Sequence, residues 1–220
     1  MLKKIMDGVA AGIMISIGCA VYLACSANGE LGTYVGAVFF AVALLTICIK
    51  GYSLFTGKVG YIPENHSKDA VSTLLLGLLG NAIATCLLGY LLSLAITSMG
   101  DRAYAICSAK LNQKLWQTFI RAIFCGVLMY VAVSIYRESE HGKLSGIFFA
   151  VPVFILSGFE HSIANMCYFG ASGIVSFDAF LYLVIVILGN SVGGMLLPVV
   201  TGKFKVNKKK KKESTDETTR

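Results

Sequence analysis

Leu156–Ser–Gly–Phe–Glu–His–Ser–Ile–Ala–Asn–Met166 sets a carboxylate, an imidazole and an amide inside an otherwise apolar region. His161 lies between the run Ile147–Leu156 and the apolar segment that begins at Phe177, so it faces hydrocarbon, a protein core or a water-filled passage. Ionisable side chains within a membrane span are costly and usually line an ion or proton path. A helix would place Asn165 one turn after His161, on the same face. Gly158 and its small neighbours permit close backbone approach or a break in the helix. The plainer alternative is a buried histidine that caps a neighbouring helix; the reading adopted is a passage.

Composition sets the frame around this stretch. The chain has 220 residues, is 56% hydrophobic and 14% charged, with mean hydropathy +0.73. A soluble domain of this size could not hide that much apolar surface in one core. Spanning takes about 20 apolar residues per helix, and six such windows fit with short connections. The apolar runs are continuous and lack a period of two, which disfavours a β-barrel. The expected architecture is all-α and integral to the membrane, with residues 1–202 as one bundle and 203–220 as a basic, polar tail expected to be disordered.

The net charge of +7 comes largely from that tail, where Lys203, Lys205 and Lys208–Lys212 follow the last span. Lysines beside a membrane helix fit the positive-inside rule and anionic lipid better than nucleic acid. Lys3 and Lys4 precede the first span, so both termini are expected in the cytoplasm and the number of spans is even. Seven cysteines without a CxxC spacing read as packing thiols, with no disulfide framework and no metal site.

Taken in order, span 1 carries Gly8, Gly12, Ser16 and Ala20, a four-residue repeat of small residues that lets membrane helices pack closely. Span 2 runs to Ile49 and then meets Lys50–Gly–Tyr–Ser–Leu–Phe–Thr–Gly57, where the helix should break. Lys50 reads as a lysine snorkelling to an interface. Span 3 contains Gly80–Asn81, and a polar segment, Gly100–Lys114, precedes span 4. Span 5 holds the histidine segment, and span 6 contains Gly189–Asn190. The second and fifth spans are thus interrupted at a Phe beside polar residues, and the third and sixth share Gly–Asn. A three-span unit repeated in opposite orientation gives this pairing and places a site at the midplane between two broken helices. Half-helix N-termini aimed at the midplane would favour an anion there.

At these residues the chain resembles the formate/nitrite transporter family, which includes hydrosulfide channels. The resemblance covers nearly all the spans and is most specific at Ser53–Gly57, at Gly158–Met166 and at the two Gly–Asn pairs. It implies an aquaporin-like fold, six transmembrane helices as an inverted 3+3 repeat with helices 2 and 5 broken. It further implies a homopentamer in a prokaryotic cytoplasmic (inner) membrane, with one anion pathway per protomer. Carried onto matching positions, Thr56 and His161 would meet at the centre, with Glu160 and Asn165 orienting the imidazole or neighbouring backbone. Phe40, Leu44, Leu54, Phe55 and Phe154 fall where the family narrows the path, and Lys114 corresponds to a lysine along the entrance. Two departures stand out: Tyr130 takes the place of an asparagine usual in span 4, and the segment after Thr56 is shorter than usual, so the second half of span 2 is stunted.

The function expected from these features is a channel or transporter for small monovalent anions of weak acids. Formate comes first, nitrite or hydrosulfide are alternatives, and the central Thr/His site exchanges a proton or a hydrogen bond with the anion. A membrane enzyme built on Glu160 and His161 lacks any supporting motif: HExxH, metal-ligand pairs and intramembrane catalytic spacings are absent. A non-conducting scaffold would have no need to interrupt two spans. No cofactor is expected; the partners are the anion, a proton, lipid and further copies of the chain.

Overall fold

Gly51 and Gly158 are where two apolar helices stop. Both adopt positive φ, +71° and +66°, a conformation that suits glycine and ends helices. The computed structural model describes residues 1–202, and the described chain is built of helices. Helix α1 covers Leu2–Ser26 and α2 covers Gly29–Lys50; α3 is the short Phe55–Lys58, continued by a 3-10 turn at Val59–Tyr61. Then come α4 (Lys68–Ala95), α5 (Thr97–Leu111), α6 (Leu115–Glu138), α7 (Lys143–Leu156), α8 (Ser162–Ser172) and α9 (Phe177–Val200). The tail from Lys203, with its expected disorder, lies outside the described residues.

Helices α1, α2, α4, α6 and α9 are long and apolar enough to cross a membrane, whereas α7 is shorter. The sixth crossing is assembled from two pieces, α7 and α8, separated by Ser157–His161. Span 2 breaks at the expected place, and the α3 portion after its break is only one turn long. The polar segment before span 4 forms α5, a longer helix than a surface turn, whose Arg102 bonds Ser26 at the end of α1.

The packing repeats between halves. Helix α1 lies against α4 and α2, and α6 lies in the same way against α9 and α7. The half-helices cross over: α8 packs on α4 of the first half, and the turn after α3 packs on α9 of the second. This is an inverted repeat of three spans, the aquaporin-like arrangement expected. Close approach at the two main seams depends on missing side chains. A Cβ on Gly12 would sit 2.7 Å from the Ala84 Cβ, and one on Gly126 would sit 2.8 Å from the Gly194 nitrogen. Small residues of this kind let backbones of membrane helices meet. Lys4 pairs with Asp69 at 2.6 Å, so the starts of α1 and α4 share one end of the bundle, and α5 lies at the other.

Candidate functional site

Each break is held by an asparagine from the helix that follows. Asn81 accepts from the Phe55 amide at 2.9 Å and donates to the carbonyls of Gly8 and Ser53. Asn190 accepts from the Ser162 amide at 2.8 Å and donates to the carbonyls of Ala122 and Glu160. Both asparagines are fully buried. In a membrane, irregular backbone persists only where such partners satisfy it. The Gly–Asn pairs therefore lock the broken spans to the bundle.

The locks bring Thr56 and His161 together. Thr56 Oγ1 lies 2.8 Å from His161 Nε2, and both residues are buried. His161 is also the N-cap of α8, its Nδ1 accepting from the Ala164 amide at 3.1 Å. One side chain thus both caps α8 and meets Thr56. An imidazole nitrogen that accepts carries no proton, so the neutral ring bears its hydrogen on Nε2 and donates it to Thr56 Oγ1. The threonine hydroxyl hydrogen is left to point elsewhere. The ring is stacked on Phe154, centroids 5.5 Å apart and planes at 19°.

Phe154 also meets Phe40 edge to face, at 6.3 Å. Phe40, Leu44, Leu54, Phe55 and Phe154 are all buried and belong to one apolar core cluster. Leu44 and Leu54 additionally line a cavity of about 510 Å3 that opens toward the end of the bundle bearing Lys58, Glu64 and Arg137. Arg137 sits over the Tyr61 ring at 4.1 Å from its centroid, and Tyr61 packs on Tyr130 at 5.5 Å. Tyr130, the departure noted in span 4, is thus buried beside this inner cavity. Lys50, by contrast, is exposed in the last turn of α2.

Glu160 and Asn165 pair with one another: Asn165 Nδ2 donates to Glu160 Oε2 at 2.9 Å. The carboxylate also takes the Lys110 ammonium on the same oxygen. Neither group bonds the imidazole, which is oriented instead by Ala164, Thr56 and Phe154. Lys114, the entrance lysine expected from sequence, is exposed and begins α6 as its N-cap. The lysine that reaches the site is Lys110, which was missed. A signal for it existed, since Ala103, Cys107 and Lys110 fall on one face of α5 and the first two are buried. The half-helix N-termini are also less open than expected. The amides of Ser162 and Ala164 in the first turn of α8 are already taken by Asn190 and His161.

Residues 1–202 match the sequence model of a family described as formate/nitrite transporter. A probable formate transporter of Methanothermobacter thermautotrophicus is 33% identical over 195 residues, covering 73% of this chain and 70% of its own. The formate channel FocA of Escherichia coli (strain K12) is 28% identical over 184 residues, 75% of this chain and 64% of its own. Among solved structures, a pentameric formate channel with formate bound superposes with a TM-score of 0.77 at 24% identity, covering 94% of this chain and 97% of its own. An FNT family ion channel gives a TM-score of 0.78 at 23% identity, over 89% of this chain and 87% of its own.

Proposed function

The chain belongs to the formate/nitrite transporter family, and on that premise we propose that it conducts small monovalent anions of weak acids across a cytoplasmic membrane, formate foremost. The observation that carries the proposal is the buried Thr56–His161 bond at 2.8 Å, made where two broken spans meet against the apolar core. Formate named for relatives supports the choice of anion; nitrite and hydrosulfide are of the same chemical class. The pentameric assembly named for a structural neighbour supports a homopentamer for this chain. Both termini are assigned to the cytoplasm from Lys3, Lys4 and the lysine-rich tail.

The mechanism follows from desolvation. A small anion stripped of water in an apolar slit loses on the order of 10 kcal/mol or more. Hydroxyl and imidazole donors at Thr56 and His161 replace part of that hydration, and the free hydrogen of Thr56 is the first to be offered. If the anion takes up a proton, the neutral acid passes Phe40, Leu44, Leu54, Phe55 and Phe154 at far lower cost. Proton exchange at His161 carries a condition. A second ring proton on Nδ1 would confront the Ala164 N–H, so the imidazolium forms only when the cap of α8 loosens. At rest His161 acts as a hydrogen-bond donor. Lys110, Glu160 and Asn165 form the polar approach from the α5 side.

Flux in proteoliposomes tests this. Formate, nitrite and hydrosulfide are compared across about pH 5 to 8, where imidazole titrates, in wild type and His161→Ala. Saturable flux that is lost in the variant is the expected result, and the ranking of the three names the substrate. No flux of any of them through correctly inserted protein would overturn the proposal and leave a scaffold.

A further inference from the structure

The inner cavity of about 510 Å3 carries three charged residues in its wall, Lys58, Glu64 and Arg137. Two cations against one carboxylate leave a net positive charge. Helix α3 ends at Lys58 after a single turn, so this lysine stands two residues beyond Thr56. Leu54 and Gly57, on either side of Thr56 in the chain, line the same cavity. The cavity therefore reaches the segment that carries the central contact. Arg137 comes from the last turn of α6, with its guanidinium over the Tyr61 ring at 4.1 Å from the centroid.

The two sides of the central contact differ in what their cations are paired with. On the α5 side the Lys110 ammonium is bound to Glu160, and the two charges cancel. On the inner side, among the described residues, neither Lys58 nor Arg137 forms an ion pair. Glu64 shares their cavity without pairing with either, and Asp7 of α1 acts on Lys58 only from beyond ion-pair distance. Arg137 is close enough to repel Lys58. Lys58 is half-buried, so that repulsion is screened less than between surface charges. One monovalent anion drawn to both cations relieves the repulsion and neutralises the lining. Apolar wall residues such as Leu44 and Leu54 lower the local dielectric and strengthen the attraction.

We infer that the inner cavity is the resting site of the conducted anion: Lys58 and Arg137 hold one small monovalent carboxylate there, next to the Leu44 and Leu54 constriction and the Thr56 hydroxyl beyond it. The path is then asymmetric, with a holding site on the Lys58 side and a neutralised ion pair on the α5 side. The inference rests on the anion-conduction reading for the step from cavity to centre, whereas holding in the cavity is tested without transport.

The binding test uses full-length protein in detergent and isotopically labelled formate, whose NMR line broadens when it exchanges with a protein site. Lys58→Gln and Arg137→Gln should each cut the broadening several-fold, and Lys58→Arg, which keeps the charge, should retain it. Broadening that survives both glutamine variants, or that Lys58→Arg loses as fully as Lys58→Gln, would overturn the site. Formate flux is then measured in proteoliposomes of uniform orientation at zero membrane potential. For Lys58→Gln the half-saturating concentration for entry from the inner side should rise about tenfold, the effect of losing one bond to a charged group. A resting site is a well on the path and not a barrier. The maximal rate from that side should therefore rise as well, and permeability at low formate should stay within about threefold in both directions. A fall in maximal rate with half-saturation unchanged would refute the inference, because that is what a damaged pore gives. Broadening that depends on Lys58 in a wild type without formate flux would leave the site standing and overturn the conduction reading instead.

Discussion

The two broken segments share one backbone and differ in nearly every side chain. In the first, the Tyr52 amide reaches back to the Ile47 carbonyl at 3.1 Å; in the second, the Phe159 amide reaches back to Phe154 at 2.9 Å. Gly51 and Gly158 turn the chain with nearly equal φ. Leu54 and His161 then begin the half-helices as N-caps, with φ, ψ of −89°, 125° and −102°, 116°. Asn81 and Asn190 lock the following amides in the same way. Onto this common frame the first segment sets Ser53, Leu54, Phe55 and Thr56, and the second sets Glu160, His161, Ser162 and Ile163. The carboxylate and the imidazole occupy the register positions of a serine and a leucine. Scaffold and chemistry are therefore separable: the asparagines and glycines build both breaks, and the side chains between them make only the second ionisable, the first contributing the hydroxyls of Ser53 and Thr56.

The largest expected effects fall on the shared frame, and they should be equal in the two halves. Asn81→Leu and Asn190→Leu each remove three buried hydrogen bonds and leave two carbonyls and an amide unsatisfied. Bonds of this kind within membrane proteins contribute less than in a dry-core estimate, so a loss of about 2–5 kcal/mol is expected for each. Thermal unfolding in detergent measures it. A large effect at Asn190 with little at Asn81 would break the symmetry argument, because the first break would then owe its shape to something other than its lock.

The register-mates Leu54 and His161 sharpen the comparison at intermediate size. Leu54→Ala opens a cavity at a buried site and should cost about 2–4 kcal/mol of stability. His161→Asn keeps a good helix N-cap, so its melting temperature should stay within about 2 °C of wild type. Its formate flux should nevertheless fall by about tenfold or more, since the amide lacks the reach and stacking of the imidazole on Phe154. Melting and flux measured on the same preparations decide this. If His161→Asn melted as early as Leu54→Ala, the histidine would be chiefly a structural cap.

The frame was legible in the sequence because its determinants are local or periodic. Hydropathy marks the spans, and the recurrence of an interrupted helix followed by Gly–Asn marks the repeat. The repeat pointed to a site between the two broken helices, and the pairing of Thr56 with His161 within it came from family resemblance. Beyond the two breaks, legibility fell off where a side chain's partner depends on tertiary placement. Glu160 and Asn165 stand beside the histidine in sequence, yet they serve Lys110 and each other. Lys110 and Lys114 are four residues apart across the end of α5, and only the docking of α5 against α8 and α9 tells which of them points inward.

The smallest expected effect distinguishes those two lysines. Lys114 is exposed at the start of α6, where its backbone amide donates to Gln117 Oε1 at 3.2 Å. Replacing it with glutamine removes one charge from a solvated surface, and screening over about 8–10 Å confines its influence. Half-saturation for formate entering from the α5 side should rise no more than about twofold at physiological salt, and somewhat more at low ionic strength. Lys110→Gln should act in the opposite regime. It strips the buried Glu160 of its charged partner, and its effect should persist at high salt because a buried pair is little screened. Titrating formate entry against salt for the two variants separates an attracting surface charge from a group built into the path. A salt-dependent Lys110 effect as small as that of Lys114 would return the entrance role to the exposed lysine and leave the Lys110–Glu160 pair a structural tie between α5 and the second broken span.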